Sequence, residues 1–499
     1  MIFLSILIFI LAMSLEYFKT QITPLFFTRI AAVTFIYAGV LTFNALHIQS
    51  IGSGISIYSG LFQVSYYSIL FEAFIFVIGA VILLSWPLLF NISSLYSLTD
   101  ENVKSKKLLT DAGSEDLLTL SYEKSVTGLS LLRSEPNYKS INLISSAVNS
   151  LKVKDGEDTS IGLITSVRTS KEAREYSLIA LFSSLGGSLL LSSGDLLSMY
   201  LSIELQSFGL YVLASIYRES GSATSAGLKY FLLGGLSSCL ILLGLALVYA
   251  FTGLTSFESL YSLVSVLSMG DRSLYGLSSL VSDVDPLAFE SLMTRSDTLS
   301  VISSSASNLE NISQGLSLGL ILIVVGLLFK IAAAPFHNWS PDVYDDSPTN
   351  VTIWLTIIPK LAIILLLLEL EMGISLNISQ PLIEGNSGLF STILDNSFQL
   401  NTLKSGGLGS INVLKNIFLL SSLLSLIIGS VVGLAQIRIK RLFAYSTISH
   451  IGFLLLALAV STEQSTESLI FYLLQYTITN LNAFFILLAF GYIINSLVS

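Results

Sequence analysis

Long apolar runs alternate with short polar stretches along most of the chain, without the two-residue alternation of half-buried strands. A helix needs about 17 to 25 mainly apolar residues to cross a bilayer. Eleven runs qualify, near residues 1 to 16, 24 to 46, 60 to 91, 176 to 193, 195 to 217, 226 to 251, 316 to 338, 349 to 370, 413 to 436, 441 to 460 and 466 to 496. The pattern predicts an all-α polytopic membrane protein, because lipid leaves no partner for unpaired backbone groups. Two polar inserts interrupt the series, at about 92 to 175 and 252 to 315. The first is charged with nearly balanced signs, the second Ser-rich and acidic, and both read as surface excursions, partly disordered or with short interfacial helices, without chemistry. The chain therefore divides into three amino-terminal helices over 1–91, the polar insert 92–175, a helix set over 176–370 that contains the acidic insert, a loop over 371–412, and a second, partial set over 413–499.

Composition agrees with this reading. Of the 499 residues 53% are hydrophobic and 11% charged, against about 25% charged in soluble domains. A single cysteine, Cys239, excludes a disulfide framework and a thiolate metal site, and three scattered histidines argue against a metal cluster. No phosphate-binding loop, dinucleotide fingerprint or HExxH motif occurs. The first fifteen residues lack the basic start and cleavage site of a signal peptide, so they are expected to stay as the first span. An Arg-rich import sequence is also missing, which suits synthesis in the compartment whose membrane the chain enters.

Loop charge sets orientation, because Lys and Arg are retained on the cytoplasmic or equivalent side. One set of alternate loops carries Lys19, then Lys104, Lys106 and Lys107, then Arg218, then Arg438, Lys440 and Arg441. The other set carries Gly52 to Ser56, then Asp271, Asp283, Asp285 and Glu290, then Glu371 and Glu384, then Ser461 to Ser468. The amino terminus is thus expected outside. The acidic segment HNWSPDVYDDSPT, from His337 to Thr349, falls on the basic side.

Ionisable residues at mid-span cost about 2.5 to 3.5 kcal/mol on insertion scales and invite a functional reading. Four stand out: Glu204, Lys229, Lys330 and Lys360. The structural alternative is a lysine that snorkels to the interface or only locks packing, and Lys229, close to its helix start, suits it well. Pro335 cannot donate a helical hydrogen bond and crowds the carbonyl of Ile331, next to Lys330. Pro359 frees the carbonyl of Leu355 in the same way, beside Lys360. Broken helices are where transporters place ion sites, although ordinary kinks are common too. A relay lysine has to release its proton near neutral pH, at a cost of roughly 4 kcal/mol. A carboxylate moving relative to it would switch its hold on that proton. Glu204 is the best such carboxylate; Glu72 is a second buried acid without an evident partner. His450, among Ser446, Thr447 and Ser449, suits either a hydrated relay or helix packing, and His337 either a relay or an interfacial hydrogen bond. The glycine pairs in YFLLGGLSS and SSLGGSLLL read as close helix contacts.

KIAAAPFHNWSPDVYDDSPTNVTIWLTIIPKLA, from Lys330 to Ala362, resembles the antiporter-like membrane subunits of respiratory complex I, and PFHNWSPDVYDDSPT resembles their subunit 2 group in particular. ELQSFGLYVL, LKYFLLGG and IKRLFAYSTISHIGFLLL match that group in the same order. The resemblance implies a fourteen-span fold with two inverted five-helix repeats and interrupted seventh and twelfth spans. It further implies a proton channel in which Glu204 pairs with Lys330, Lys229 lies close to that pair, and Lys360 passes protons towards the second repeat. It places flavin, iron–sulfur clusters and quinone in other subunits, with no cofactor or metal in this one. Expected partners are the other membrane-arm subunits, including neighbouring antiporter-like ones, and lipids such as cardiolipin, but no nucleic acid. The expected location is the mitochondrial inner membrane of a fungal-like source, with a bacterial plasma membrane as the alternative. The family continues past the eleventh span with an interrupted, lysine-bearing helix and two more helices, so the second half-channel is incomplete in this sequence. That leaves room for a structural spacer, and the shared fold leaves room for a free-standing Mrp-type cation/proton antiporter.

Overall fold

The computed structural model describes residues 1–15, 24–47, 55–85, 158–217, 220–265, 296–378 and 406–498. The expectations for Lys19, Lys104, Lys106, Lys107, Arg218, Asp271, Asp283, Asp285, Glu290, Glu384 and most of the first insert lie outside the described residues.

The amino-terminal part consists of α1 (Ile2–Ser14), α2 (Pro24–Ala45), a small hairpin of β1 (Ile55–Ile57) and β2 (Phe62–Val64), and α3 (Tyr66–Ser85). Then follow α4 (Asp158–Leu191), α5 (Leu196–Ala214), α6 (Gly221–Thr252), α7 (Ser296–Ile331), the short α8 (Trp339–Asp346) and α9 (Thr349–Ile378). The last three are α10 (Gly406–Leu434), α11 (Ile439–Val460) and α12 (Glu463–Val498). Each of the eleven apolar runs holds a helix among its described residues. Among the described residues nine helices are long and apolar enough to cross a membrane, while the first and fourth runs hold the shorter apolar stretches Ile2–Ser14 and Glu175–Leu191.

Sequential helices pair as antiparallel neighbours, α2 with α3, α4 with α5, α6 with α7 and α10 with α11. Their core converges on α9, whose spanning stretch is 94% buried. Small residues let these helices approach. A Cβ on Gly186 of α4 would sit 2.5 Å from the backbone nitrogen of Gln206 on α5. Gly235 of α6 faces open space, so the close-packing expectation does not extend to it.

Four expectations need correction. The third span starts at Tyr66 rather than 60, because residues 61–65 complete the hairpin and leave it. There Gln63 N–H donates to the Ser192 carbonyl at 2.7 Å and Gly194 N–H to the Leu61 carbonyl at 2.9 Å, so the hairpin braces the α4–α5 turn. The seventh span ends at Ile331, and residues 332–338 are non-helical. The second insert holds more than the short interfacial helices expected, since besides helix at 257–265 the long α7 already begins at Ser296; serine costs a helix only a few tenths of a kcal/mol per residue. Finally, α9 runs unbroken through Pro359. One missing hydrogen bond does not end a helix packed on nearly all sides.

Candidate functional site

Three helices bring the site together. Asp195 caps α5, accepting from the Leu197 N–H at 3.1 Å, and fixes the start of the helix that carries Glu204 and Ser207 two and three turns later. Helix α6 contributes Ser238, and α7 contributes Lys330 in its last turn. Lys330 Nζ lies 3.2 Å from Glu204 Oε1 and donates to Ser207 Oγ at 2.8 Å. Ser238 Oγ donates to the same carboxylate oxygen. The lysine side chain is 6% exposed and the carboxylate 16%. Two charges are thus held out of solvent, each with neutral hydroxyls completing its shell. This matches the arrangement buried pairs require to recover their desolvation cost.

The end of α7 is built by local hydrogen bonding. Ala332 takes the left-handed conformation, φ 61°. Its N–H donates to the Phe329 carbonyl and the Ala333 N–H to the Leu328 carbonyl, both at 3.0 Å. This is a Schellman termination with alanine where glycine is usual. Pro335 follows, across a cis Ala334–Pro335 bond. The freed groups find new partners: Trp339 Nε1 donates to the Phe329 carbonyl at 3.0 Å, and Ala334 N–H donates to Ser425 Oγ of α10 at 2.9 Å. Lys330 therefore sits at the negative end of a helix dipole, which favours its cation by about 0.3 to 1 kcal/mol.

A small cavity adjoins the pair, lined among others by Gln206, Tyr211, Tyr230, Phe329, Lys330 and Pro359. Lys330 and Pro359, the residue before Lys360, are both among its lining. Lys360 is 1% exposed. Its Nζ donates to Thr447 Oγ1 of α11 at 3.2 Å and lies 5.2 Å from the centroid of the Tyr344 ring. His450, one turn beyond Thr447, has Nδ1 2.6 Å from the Tyr472 hydroxyl of α12.

Lys229 is the exception to the expected grouping. It stands apart from Glu204, half-exposed, with Nζ 3.3 Å from Asp342 of α8. Its place near the helix start lets the chain reach the interface, as snorkelling demands. His337 lies in the α7–α8 connection, edge-on to Tyr445, and burial pushes its imidazole below the usual range. Glu72 on α3 is half-buried, with the amino terminus as its charge neighbour.

Several residues escaped the sequence reading. Asp345 of α8 accepts from Arg438 Nη1 at 2.6 Å and Arg441 Nε at 3.0 Å, while Arg441 Nη2 also reaches Asp342 at 3.2 Å. Lys440 Nζ donates to the Ser347 carbonyl at 2.8 Å. The signal for this cluster was in view: the acidic DVYDDS segment and the basic RIKR segment had been assigned to the same side. A further ion pair, Lys415 Nζ to Glu371 Oε1 at 3.8 Å, ties α10 to α9. Among the described residues no group of three or more His, Cys, Asp or Glu side chains could hold a metal ion.

A buried carboxylate–ammonium pair beside a broken helix in a polytopic helical protein is the kind of place where membrane transporters put their ion sites. Residues 193–404 and 389–497 match the family described as NADH:quinone oxidoreductase/Mrp antiporter, TM, and the chain belongs to that family. It is 40% identical over 496 residues to NADH-ubiquinone oxidoreductase chain 2 of Rhizopus oryzae, covering 99% of this chain and 69% of that protein. It is 31% identical over 315 residues to NADH-quinone oxidoreductase subunit N of Rhodospirillum rubrum, covering 63% of this chain and 50% of that one. The chain thus spans half the length of that bacterial relative. Among solved structures, a chain of respiratory complex I from Thermus thermophilus with bound aureothin aligns with a TM-score of 0.51 at 22% identity, over 97% of this chain and 69% of the other. At that identity the likeness speaks for the fold. The resemblance drawn from the HNWSPDVYDDSPT segment is borne out.

Proposed function

We propose that the chain is a proton-translocating membrane-arm subunit of a respiratory NADH:quinone oxidoreductase. NADH oxidation and quinone reduction take place in other subunits, which hold the flavin, iron–sulfur clusters and quinone. The observation that carries this reading is the Glu204–Lys330 pair, 3.2 Å apart at the point where α7 breaks. A proton on Lys330 is held by the carboxylate, and any shift of α5 against α7 changes that hold. Lys360 is the next station, adjacent in sequence to Pro359, which lines the cavity beside Lys330. Lys229, tied to Asp342, acts at the basic rim, where protons enter. His450 extends the path into the second helix set, and His337 flanks the break. The subunit works in the mitochondrial inner membrane among the other membrane-arm subunits, including neighbouring antiporter-like ones, with lipids such as cardiolipin at its apolar faces.

Proton pumping per NADH oxidised, measured in sealed vesicles that carry an assembled Lys330→Ala complex, tests the reading. A large loss of pumping supports it. Unchanged pumping would favour a structural spacer. A chain that copurifies without quinone reductase subunits would favour a free-standing Mrp-type antiporter.

A further inference from the structure

One buried carboxylate has no part in the relay. Glu371 of α9 is 5% exposed. Its Oε1 lies 3.8 Å from Lys415 Nζ of α10 and receives no hydrogen bond. Lys415 Nζ in turn donates at 2.5 Å to Ser461 Oγ, on the residue that closes α11. An ammonium shared between a carboxylate and a serine hydroxyl is also what the Glu204–Lys330 pair presents. Ionisable groups inside a span are kept where ions pass or where they lock helices together, and position separates the two. Helix α9 starts at Thr349, next to α8 and the basic cluster, and Glu371 lies roughly 33 Å further along it. Loop charge places Glu371 and Ser461 on the face opposite the basic loops. Glu371 follows Lys360 by three helical turns, roughly 16 Å, and so falls on the same side of α9. Ser461 follows His450 by the same interval on α11. The pair therefore stands outward of both mid-membrane groups, at the end where a proton has to leave. Beside it α5, α7, α9 and α10 enclose a cavity whose lining, Leu196, Ile323, Leu367, Leu414 and Phe418 among others, is apolar except for Glu371. Apolar cavities resist filling by water, and apolar constrictions gate pathways in this way.

We propose that Glu371 is the outer release station of the channel, with Lys415 as its positioning residue and the apolar cavity as the barrier against return. The inference rests on the proton-relay reading above and extends it to the far side of the membrane. In the forward step an N–H bond of the Lys360 ammonium breaks, the proton crosses through water admitted to the cavity, and an O–H bond forms at Glu371 Oε1. Each water oxygen gains one proton and loses one. The neutral carboxyl no longer holds Lys415 by charge. Loss of the proton to the outer water breaks the O–H bond and restores the ion pair, and no electrons change hands. Lys415 carries no proton forward; it draws Glu371 back to its charged form.

The test uses the assembled complex in sealed vesicles. Coupled turnover should fall at least about tenfold in Glu371→Gln, in line with the loss of a proton-transfer group, and stay within about threefold of the parent in Glu371→Asp. A packing role predicts the reverse order, because glutamine fills the space of glutamate and aspartate does not. Lys415→Met should lower turnover and Lys415→Arg should restore it. Should the glutamine variant fail to assemble, the parent complex answers directly. A hydrophobic carbodiimide, which reacts with protonated carboxyl groups in apolar surroundings, should label Glu371 faster during NADH oxidation than at rest, as read by mass spectrometry. Near-parental turnover in Glu371→Gln, a greater loss in aspartate than in glutamine, equal losses in Lys415→Met and Lys415→Arg, or labelling indifferent to turnover would overturn the inference. Lys330→Ala in the same membranes separates the two claims. If pumping survives that change, the relay reading itself fails; if Lys330→Ala stops pumping while the Glu371 variants are silent, only the release station fails.

Discussion

Replacing Glu204 by glutamine keeps the shape of the side chain and its capacity to accept from Ser238 and Lys330, but removes the negative charge. At the observed 3.2 Å, and with the effective dielectric of about 20 that suits protein sites, two unit charges attract by about 5 kcal/mol. The hydrogen bonds glutamine retains return part of that, so the expected net loss is about 3 kcal/mol, at the low end of what broken buried pairs cost. Lys330→Met, which strands the carboxylate instead, should cost a similar amount. Together the two changes leave a neutral, filled site, and the double variant should recover about 2 to 3 kcal/mol relative to the sum of the singles. The assay is denaturant unfolding of the purified membrane arm, followed for each corner of the cycle, with assembly checked beforehand on native gels. Additivity within about 0.5 kcal/mol would refute the reasoning, since it would mean that the two groups do not feel each other in the assembled protein.

Three other outcomes follow from the packing and charge described above. Gly186→Ala should destabilise by about 1 to 3 kcal/mol through overpacking against the Gln206 backbone, while Gly235→Ala, which meets nothing within 4 Å, should be neutral or slightly stabilising in the same unfolding assay. Asp345→Asn should lower stability by about 1 to 2 kcal/mol and Asp342→Asn by less, because Asp345 is 10% exposed with two arginines on it, whereas Asp342 is 41% exposed; the reverse order in thermal melts would contradict the cluster. Burial keeps the His337 imidazole below its usual range, so the unfolded chain binds the proton more readily than the folded one. The stability it contributes is full above the free value of about 6.5 and is lost as pH falls below it. His337→Gln should flatten that acid limb in melts between about pH 5.5 and 7.5, and an unchanged slope would count against it.

How much of this was legible in the sequence depended on range. Helices were, because a membrane span writes its signal into its own residues. The break was partly legible: Pro335 marks the carbonyl of Ile331, and the helix does end there, yet the termination itself is made by Ala332, a residue with no sequence mark of its left-handed backbone. Pro359 carried the same signal and gave no break, because burial of α9 outweighs one lost hydrogen bond. The Glu204–Lys330 pair was legible only because two charges in apolar runs require each other. Lys229 had the same need, but its partner Asp342 lies 113 residues away in a polar segment, where an acid needs no explanation and so attracts none. The hairpin at 55–64 straddles the loop at Gly52 to Ser56 and the start of the apolar run at 60, and its strands of three residues each are too short for periodicity to mark.

The hydrogen bonds around the break have a mechanical side. Trp339 is hooked to the last turn of α7 through the Phe329 carbonyl, and Ala334 is hooked to α10 through Ser425. Had α7 continued as a rod, a sliding of α10 would be shared over many turns and reach the ammonium as a small fraction of itself. Here the rod stops one residue after Lys330, and the slack is taken out by two tethers of one hydrogen bond each. Displacement arriving from the second helix set is therefore delivered at a single joint, and the nearest charge to that joint is the one whose partner sits on a different helix.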